Sequence, residues 1–143
     1  MADLRLLPLC TVDSIPTAPA VVGKGAGAIQ EEHLVLEASI VGQRLSGTMR
    51  GKANFDWMTA PAGDGILRVR AVTETDDGAS INVRYEGRGD IGKGSDRAVG
   101  YAAPVFSTIS LNYVWLNFLQ AVGGGSLEGR CIHWDWCQLA EAS

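Results

Sequence analysis

Three side chains of this sequence are suited to moving a proton or holding an anion: His33, Asp56 and Arg70. A histidine changes protonation near neutral pH, so it can move a proton beside a carbonyl or remove one from a phenol that then attacks an enone. A carboxylate can serve as a general base, and an arginine presents a fixed fork of donors to a carbonyl, phenolate or carboxylate. These three residue types predict acid/base chemistry on a small organic molecule.

Each of these residues also has a structural interpretation. By strand alternation, His33 shares a face with Glu37 and lies opposite the apolar face that includes Leu34, so it could be an exposed residue at a strand end. Asp56 follows a glycine-containing loop and could cap a turn. Arg70 could pair with a glutamate across a solvated sheet surface, whereas its functional interpretation requires that it point into the fold.

The last predicted strand carries a set of side chains that looks like a metal site but has unsuitable geometry for one. One face of this strand presents Cys131, His133, Asp135 and Cys137, and the other presents Ile132, Trp134 and Trp136. Side chains on one face of a strand stand about 6.5 to 7 Å apart, so four in a row cannot converge on a tetrahedral ion. Two of them with residues of another strand could do so. We expect no metal, and we interpret His133 and Asp135 as a neighbouring pair.

A nucleotide cofactor is not expected either. Gly23, Gly25 and Gly27 lack the lysine-serine pair and the following helix of a phosphate-binding loop, and therefore predict a turn. These glycines therefore give no indication of a bound nucleotide.

Strands must position these residues, and the clearest strand signal is a hairpin. Ile66–Thr75 and Ala79–Arg88 alternate, and they are joined through Asp76-Asp77-Gly78, in which aspartate followed by glycine suits a tight turn. A helical turn competes with strand over Asn112–Val122, until the glycines at 123–125 end it. Further strands are predicted at Leu4–Val12, Glu32–Val41, Gln43–Thr48, Phe55–Thr59, Ala98–Ile109 with a bend at Pro104, and Gly129–Leu139.

Many short strands and little helix predict an all-β protein in which residues 1–143 form a single domain. An antiparallel β-barrel is favoured over a sandwich because closure removes edge strands, and because charges on both strand faces suit a lumen that is not wholly apolar. A barrel of about eight strands has room for one small ligand. The predicted partner is therefore a small hydrophobic or aromatic molecule.

Charge and composition exclude several classes of partner. A net charge of -4 gives no electrostatic reason to expect nucleic acid or an acidic membrane surface. No apolar run has the length of a membrane span, and Pro8 and Asp13 interrupt the segment that most resembles a secretory signal, so a cytoplasmic protein is expected. Cys10, Cys131 and Cys137 are odd in number and widely spaced, which indicates reduced thiols rather than a disulfide framework.

Several residue groups, in order along the chain, resemble one known family. They are Leu7-x-Leu9-Cys10-Thr11-Val12, Gly42-x-Arg44-Leu45-Ser46-Gly47-Thr48, Asp56-Trp57, Arg70, Thr75-Asp76-Asp77-Gly78-Ala79, Pro104 with Phe106 and Thr108, and Tyr113-x-Trp115-Leu116-Asn117. This pattern is similar to the bacterial and fungal domain-of-unknown-function family numbered 3237. Ser107 departs from it, because many relatives place a glutamate between the phenylalanine and the threonine.

The resemblance implies a single barrel of the allene-oxide-cyclase-like or lipocalin-like kind that self-associates as a homodimer. It also implies cofactor-free isomerase or cyclase chemistry on aromatic or enone molecules, in which any role of that glutamate would be vacant here. Aromatic side chains are either core and rim residues or the lining of a pocket, and Asn117 either bridges backbone groups or donates to a substrate oxygen. The predicted substrate-binding residues are Trp57, Tyr85, Tyr101, Trp115 and Asn117.

Three functional hypotheses follow. The leading one is a cofactor-independent isomerase, cyclase or lyase, in which an acid/base residue moves a proton and an arginine or tyrosine stabilises the enolate or phenolate. The alternative is a carrier or sensor that binds a small hydrophobic molecule without chemistry. The third is a structural or partner-binding dimer whose barrel is filled.

Overall fold

A computed structural model describes residues 3–17, 20–25, 28–59, 64–90 and 97–142. The strands are β1 (Leu4–Pro16), β2 (Ala20–Gly25), β3 (Ala28–Val41), β4 (Gly47–Met49), β5 (Ala53–Thr59), β6 (Asp64–Thr75), β7 (Ser80–Asp90), β8 (Arg97–Ala102), β9 (Val105–Ser107), β10 (Ala121–Glu128) and β11 (Cys131–Glu141). A 3-10 helix spans Leu111–Phe118, between β9 and β10.

Eight of these strands close into an antiparallel barrel, in the order β1, β3, β5, β6, β7, β8, β10, β11 and back to β1. The three short strands prolong barrel positions: β2 pairs with the start of β3, β4 lies between β3 and β6, and β9 pairs with β7. The predicted all-β antiparallel barrel is confirmed. At one end of the barrel, here called the helix end, Leu45 and Leu116 are buried, and each has only 1% of its surface exposed.

Two indoles fill the centre of the barrel, and glycines make room for them. Trp134 and Trp136 of β11 contact the Tyr85 ring edge-on, with centroids 5.6 and 5.1 Å away. In the neighbouring strand, Gly123 is paired with Trp136 and Gly125 with Trp134. A Cβ on Gly125 would overlap the Trp134 ring. The expectation that residues 123–125 end a helix is therefore wrong, since the 3-10 helix has already ended and these glycines lie within β10.

A bulge in β3 changes which side chains face the interior. Across β1 and β3, Ile15 is paired with Glu37 but Pro16 with Val35, so β3 has one extra residue at this point. A bulge of this kind shifts the alternation of side chains beyond it. Val35 is consequently buried, whereas Leu34 is 40% exposed. At this end of the strand, the face that carries His33 and Val35 is therefore the inner one, and the apolar face with Leu34 is the outer one.

The charged residues of the β6–β7 hairpin lie on the outside of the barrel. Val69 and Tyr85, which are paired with each other, are buried, while the flanking Arg68, Arg70 and Arg84 are exposed. The expectation that Arg70 points inward is therefore wrong. The barrel was predicted correctly, although one argument for it, charge on both faces of these strands, does not hold.

The turn of this hairpin is tied to the 3-10 helix. Gly78 has a φ of 92°, which glycine adopts without strain, and its N–H donates to the Thr75 carbonyl. The Asp77 carboxylate accepts hydrogen bonds from the Thr75 hydroxyl at 2.5 Å and the Tyr113 phenol at 2.8 Å. These two bonds, that from Thr75 first, lower the pKa of the Asp77 carboxyl. The two aspartates build the turn.

Cys10 and Cys137 are free thiols, and the Cys131 thiol lies 3.8 Å from an Asp13 carboxylate oxygen. Cys10 is buried against Cys137, and burial first, then the charge of that neighbour, raises its thiol pKa to about 12. A thiol in this state stays protonated near neutral pH and is a poor nucleophile. Within the described ranges, no helix is both long and apolar enough to cross a membrane.

The glycine-indole packing predicts a specific mutational contrast. Gly125→Ala should lower the free energy of unfolding by about 1–3 kcal/mol or more, because its methyl group would overlap the Trp134 ring. Gly124→Ala is the matched control, since a Cβ there would have no neighbour closer than 3.9 Å. Urea denaturation followed by tryptophan fluorescence measures both. Equal stability of the two variants would contradict the packing.

Candidate functional site

His33 lies on the interior side of the barrel wall, at the end opposite the 3-10 helix. Its imidazole packs edge-on against Phe55, with ring centroids 5.1 Å apart, and 14% of the side chain remains exposed. Nδ1 is 2.9 Å from the Thr17 carbonyl oxygen, and Nε2 is 3.3 Å from an oxygen of Glu31. The imidazole is therefore largely enclosed, with a carbonyl oxygen beside Nδ1 and a carboxylate beside Nε2.

Backbone geometry fixes one of these contacts. The Thr17 N–H donates to the Leu34 carbonyl at 2.7 Å, and the Leu34 N–H donates to the Thr17 hydroxyl at 3.0 Å. Thr17 is thereby anchored beside β3, with its carbonyl at His33. Because a carbonyl oxygen can only accept, Nδ1 must carry a hydrogen to form this bond. Nε2 is then the nitrogen that can exchange a proton with Glu31 or with a bound molecule.

An aromatic surface adjoins this imidazole. Phe55 and Trp57 project from β5 on the same side of the wall and stack at 5.6 Å with an interplanar angle of 22°. Phe55 is buried, whereas Trp57 is half-buried. We call His33, Glu31, Phe55, Trp57 and the Thr17 carbonyl the His33 site. It combines a proton-carrying group with a flat apolar surface.

The centre of the barrel has no room for a substrate in the part of the chain that the structure describes. The void there measures about 30 Å³ and is lined by Ser14, Thr73, Tyr85, Trp136 and apolar side chains. A space of this size holds about one water molecule. Ligand binding to this barrel stays a prediction, and a ligand would need a site away from this central void.

Tyr85 is a core residue and not an accessible ligand contact. Burial raises the pKa of its phenol, an effect that the neighbouring Trp134 N–H opposes, and the phenol stays neutral. Trp134 and Trp136 are almost fully buried, and the Trp136 N–H has no acceptor among the described residues. The Tyr85 hydroxyl therefore belongs to the packed interior.

Asp56 and Arg70 lie on the other side of the wall from His33. Both are exposed and line an outer groove of about 430 Å³ that runs across β5, β6, β7 and β9. Asp56 follows Phe55, which is paired with His33, so its side chain points to the opposite face. The structure brings Asp56 and Arg70 together but separates both from His33. One small molecule cannot contact all three.

The remaining predicted ligand contacts are dispersed over the molecule. Tyr101 is 69% exposed on β8. Trp115 lies on the 3-10 helix, with the Arg44 guanidinium 3.7 Å from its ring centroid. The Asn117 amide bridges the backbone of Thr108, accepting from its N–H and donating to its carbonyl, both at 2.9 Å. Of the five predicted substrate-binding residues, only Trp57 lies with His33.

A second imidazole cluster, which the sequence showed only in part, lies on the outer face. Asp13 of β1 is paired with His133 of β11, and its carboxylate is 2.6 Å from Nδ1. Nε2 is 3.4 Å from Asp135, so the interpretation of these two residues as neighbours is confirmed. The hydrogen bond to Asp13 is the main reason that the pKa of His133 is raised. Among the described residues, no group of three potential ligands is arranged to hold a metal ion.

The architecture defines the class of protein: a closed antiparallel barrel with a filled centre and an imidazole at one end. Residues 4–138 match the model of the family described as protein of unknown function (DUF3237), and the chain belongs to that family. No curated protein sequence matches the chain.

Crystal structures of distant relatives share this fold. A protein with unknown function from Clostridium acetobutylicum ATCC 824 has a TM-score of 0.90 at 16% identity, over 98% of this chain and 99% of that one. A β-barrel-like protein from Acinetobacter baumannii AYE has a TM-score of 0.87 at 21% identity, over 98% of each chain. An enzyme from Penicillium herquei has a TM-score of 0.73 at 19% identity, over 96% of this chain and 94% of that one.

The outer cluster predicts the titration of His133. Its folded-state pKa should lie above the ordinary value of 6.5, and Asp13→Asn should lower it more than Asp135→Asn, because Asp13 forms the stronger bond. The chain has two histidines, so proton NMR can follow both rings. Protonated His133 should stabilise the folded protein. This contribution is complete below the unfolded-state pKa of His133 and is lost as pH rises through its folded-state pKa. An unchanged His133 titration in Asp13→Asn would refute the assignment.

Proposed function

We propose that the protein is a cofactor-independent acid/base enzyme, an isomerase, cyclase or lyase, that acts on a small aromatic or enone-type molecule at the His33 site. The observation that carries this proposal is the placement of the His33 imidazole. Its Nδ1 contacts the Thr17 carbonyl and its Nε2 contacts Glu31, beside the exposed part of the Phe55–Trp57 stack.

The proposed chemistry uses the two nitrogens differently. The bond to the Thr17 carbonyl keeps the ring oriented, so that orientation does not have to be gained in each reaction cycle. Nε2 accepts a proton from a phenol, or from a carbon next to a carbonyl, and the Glu31 carboxylate stabilises the imidazolium that forms. The same nitrogen then returns the proton to another atom of the substrate. No proton is gained or lost overall, as an isomerisation or cyclisation requires.

The aromatic surface would select and orient the substrate. Trp57 and Phe55 stack on one another, and a flat ring bound against the half-buried Trp57 would extend this stack. The position at the end of the barrel suits a substrate that is only partly enclosed. The filled centre lies beyond Phe55 and cannot take part.

The comparisons support an enzymatic role only in general terms. One structural relative, from Penicillium herquei, is described as an enzyme, and two others carry no assigned activity or are described only by their fold. Asp56 and Arg70 are not part of the proposed mechanism, because the barrel wall separates them from His33. A filled centre is also what the structural-dimer hypothesis requires, and the held imidazole is the feature that favours catalysis instead.

The homodimer and the cytoplasmic location stay predictions. Three large apolar side chains on or beside the 3-10 helix are almost fully exposed: Ile109, Leu111 and Phe118. Exposed apolar surface of this kind is common where protein partners bind.

Turnover of a phenolic enone tests the mechanism. With 2′-hydroxychalcone as the probe, His33→Gln should lower kcat roughly 10²- to 10⁴-fold, because glutamine cannot exchange the proton. His133→Gln is the matched control on the outer face and should keep full activity. Ring closure can be followed by loss of the enone absorbance. For aryl ketones, exchange of α-hydrogens in D₂O can be followed by NMR.

Two results would count against this mechanism. Equal activity of His33→Gln and the unsubstituted protein would remove His33 from the reaction. Binding of the probes without turnover by either protein would favour the carrier hypothesis.

The role of Trp57 can be separated from that of His33. Trp57→Ala should raise KM roughly 2- to 10-fold with a smaller change in kcat, since an aromatic pair is worth about 0.5–1.5 kcal/mol beyond its buried area. Tyr101→Ala removes an exposed ring elsewhere on the barrel and should leave both constants unchanged. If Trp57→Ala changed kcat alone, the stacking role would be wrong.

A further inference from the structure

We propose that the outer groove across β5, β6, β7 and β9 binds a small organic carboxylate, held between Arg70 and Arg84 with its apolar part against Val105. This site is separate from the His33 site, since its residues lie on the opposite face of the barrel wall. Either site can exist without the other.

Strand register places the groove residues in two parallel rows. In the first row Asn54 is paired with Arg70, Arg70 with Arg84, and Arg84 with Val105. In the second row Asp56 is paired with Arg68, and Arg68 with Glu86. Side chains directly opposite each other on antiparallel strands lie about 4.5–5.5 Å apart at Cβ, so each row is a set of neighbours.

The charges of the second row are balanced within the protein. Arg68 Nε donates to Glu86 at 3.3 Å, and Arg88, which follows on the same strand, donates to the other Glu86 oxygen at 3.1 Å. Glu86 is thus shared between two guanidinium groups. The Asp56 carboxylate lies in the same row, beside Arg68. This end of the groove does not attract a further anion.

The first row carries uncompensated positive charge. Arg70 and Arg84 are directly paired across β6 and β7, and neither forms an ion pair or side-chain hydrogen bond with any described residue. Like charges opposite one another destabilise a sheet. An anion between the two guanidinium groups would convert this repulsion into two attractive contacts. The Asn54 amide, at the end of the row, supplies a further donor.

The shape of the groove favours a carboxylate with an apolar body. Guanidinium presents a planar pair of donors that matches the two oxygens of a carboxylate. Beyond Arg84 the groove is bounded by Ala103 and by Val105, which is 46% exposed. A volume of about 430 Å³ lies within the range of small-molecule sites. A benzoate-sized molecule can place its carboxylate on the arginines and its ring against Val105.

Benzoate titration of the full chain tests the proposal. Binding can be followed by NMR of the arginine Nε–H groups and by calorimetry. Benzoate should bind saturably, and its affinity should fall as salt is added. Arg70→Gln and Arg84→Gln should each weaken binding roughly fivefold or more, allowing for the exposure of both residues. Arg70→Lys, which keeps the charge but loses the planar fork, should also weaken it. Arg88→Gln is the matched control, because Arg88 is already paired and does not line the groove.

Two further probes test the chemical class. Inorganic phosphate has charge without an apolar body, and benzamide has the ring without the charge, so both should bind more weakly than benzoate. Phosphate binding as tight as that of benzoate would refute the role of Val105, and equal binding of benzamide would refute the role of the arginines. Absence of saturable benzoate binding, or equal loss in Arg88→Gln, would overturn the site.

The ligand-free protein gives an independent readout. Because Arg84→Gln removes a like-charge pair, its melting temperature without anion should be equal to or above that of the unsubstituted protein. Benzoate should raise the melting temperature of the unsubstituted protein by clearly more than it raises that of Arg84→Gln. A similar benzoate-induced rise in both would contradict the proposal. None of these measurements depends on catalysis at His33.

Discussion

Packing of two indoles against two glycines determines what this barrel can do. Trp134 and Trp136 lie against β10, where Gly125 and Gly123 provide the space, and the aromatic ring of Tyr85 closes the interior from the other side. Interiors of this kind are packed as densely as organic crystals, and a void of about 30 Å³ admits no substrate. Small barrels of eight strands often hold a ligand at the centre. Here side chains fill the centre, and the two proposed sites lie at one end of the barrel and on its outer wall.

The extra residue in β3 determines which side chains of this strand face the interior at the end opposite the 3-10 helix. Without the bulge, the strand segment that carries His33 would present Leu34 and Leu36 to the core, and His33 would face solvent. With it, the imidazole meets Phe55 from the inside, and the backbone around Thr17 holds Nδ1. Bulges commonly re-aim side chains next to active sites. The His33 site therefore depends on local backbone geometry as much as on the identity of its residues.

Local signals in the sequence were sufficient for the architecture. The alternation of β6 and β7, with Asp77 and Gly78 at the turn, predicted that hairpin to within two residues, because strand period and turn chemistry are encoded in neighbouring residues. The order of short motifs along the chain likewise indicates the family. The glycines at 123–125 were misassigned, since their partners are indoles that come later in the chain. That relation exists only after β10 and β11 pair.

The candidate site was less predictable than the fold. Strand alternation shows which side chains share a face, but it does not show which face lies inside the barrel. Which face is inner is fixed only when the barrel closes, and a bulge can reverse it partway along a strand. The functional interpretation of Arg70 placed its side chain inside, and it lies outside. His33, for which an exposed strand-end position was one of two interpretations, lies inside. The apolar spacing itself held a signal for the latter: Val35, Ala38 and Ile40 are all inward, and the step of three residues between the first two breaks a period of two. Contacts between strands, such as that of Asp13 with His133, can be predicted only when the register of the two strands is known.

The barrel wall lies between the two proposed sites, one for proton transfer at His33 and one for anion binding on the outer face. The most direct test of this arrangement is the position of a bound aromatic ligand, measured by intermolecular NOEs between 2′-hydroxychalcone and assigned ring protons of the protein. The account predicts NOEs from the ligand to His33 and Trp57. NOEs to Tyr85 and Trp136 instead would place the ligand in the centre of the barrel and contradict it.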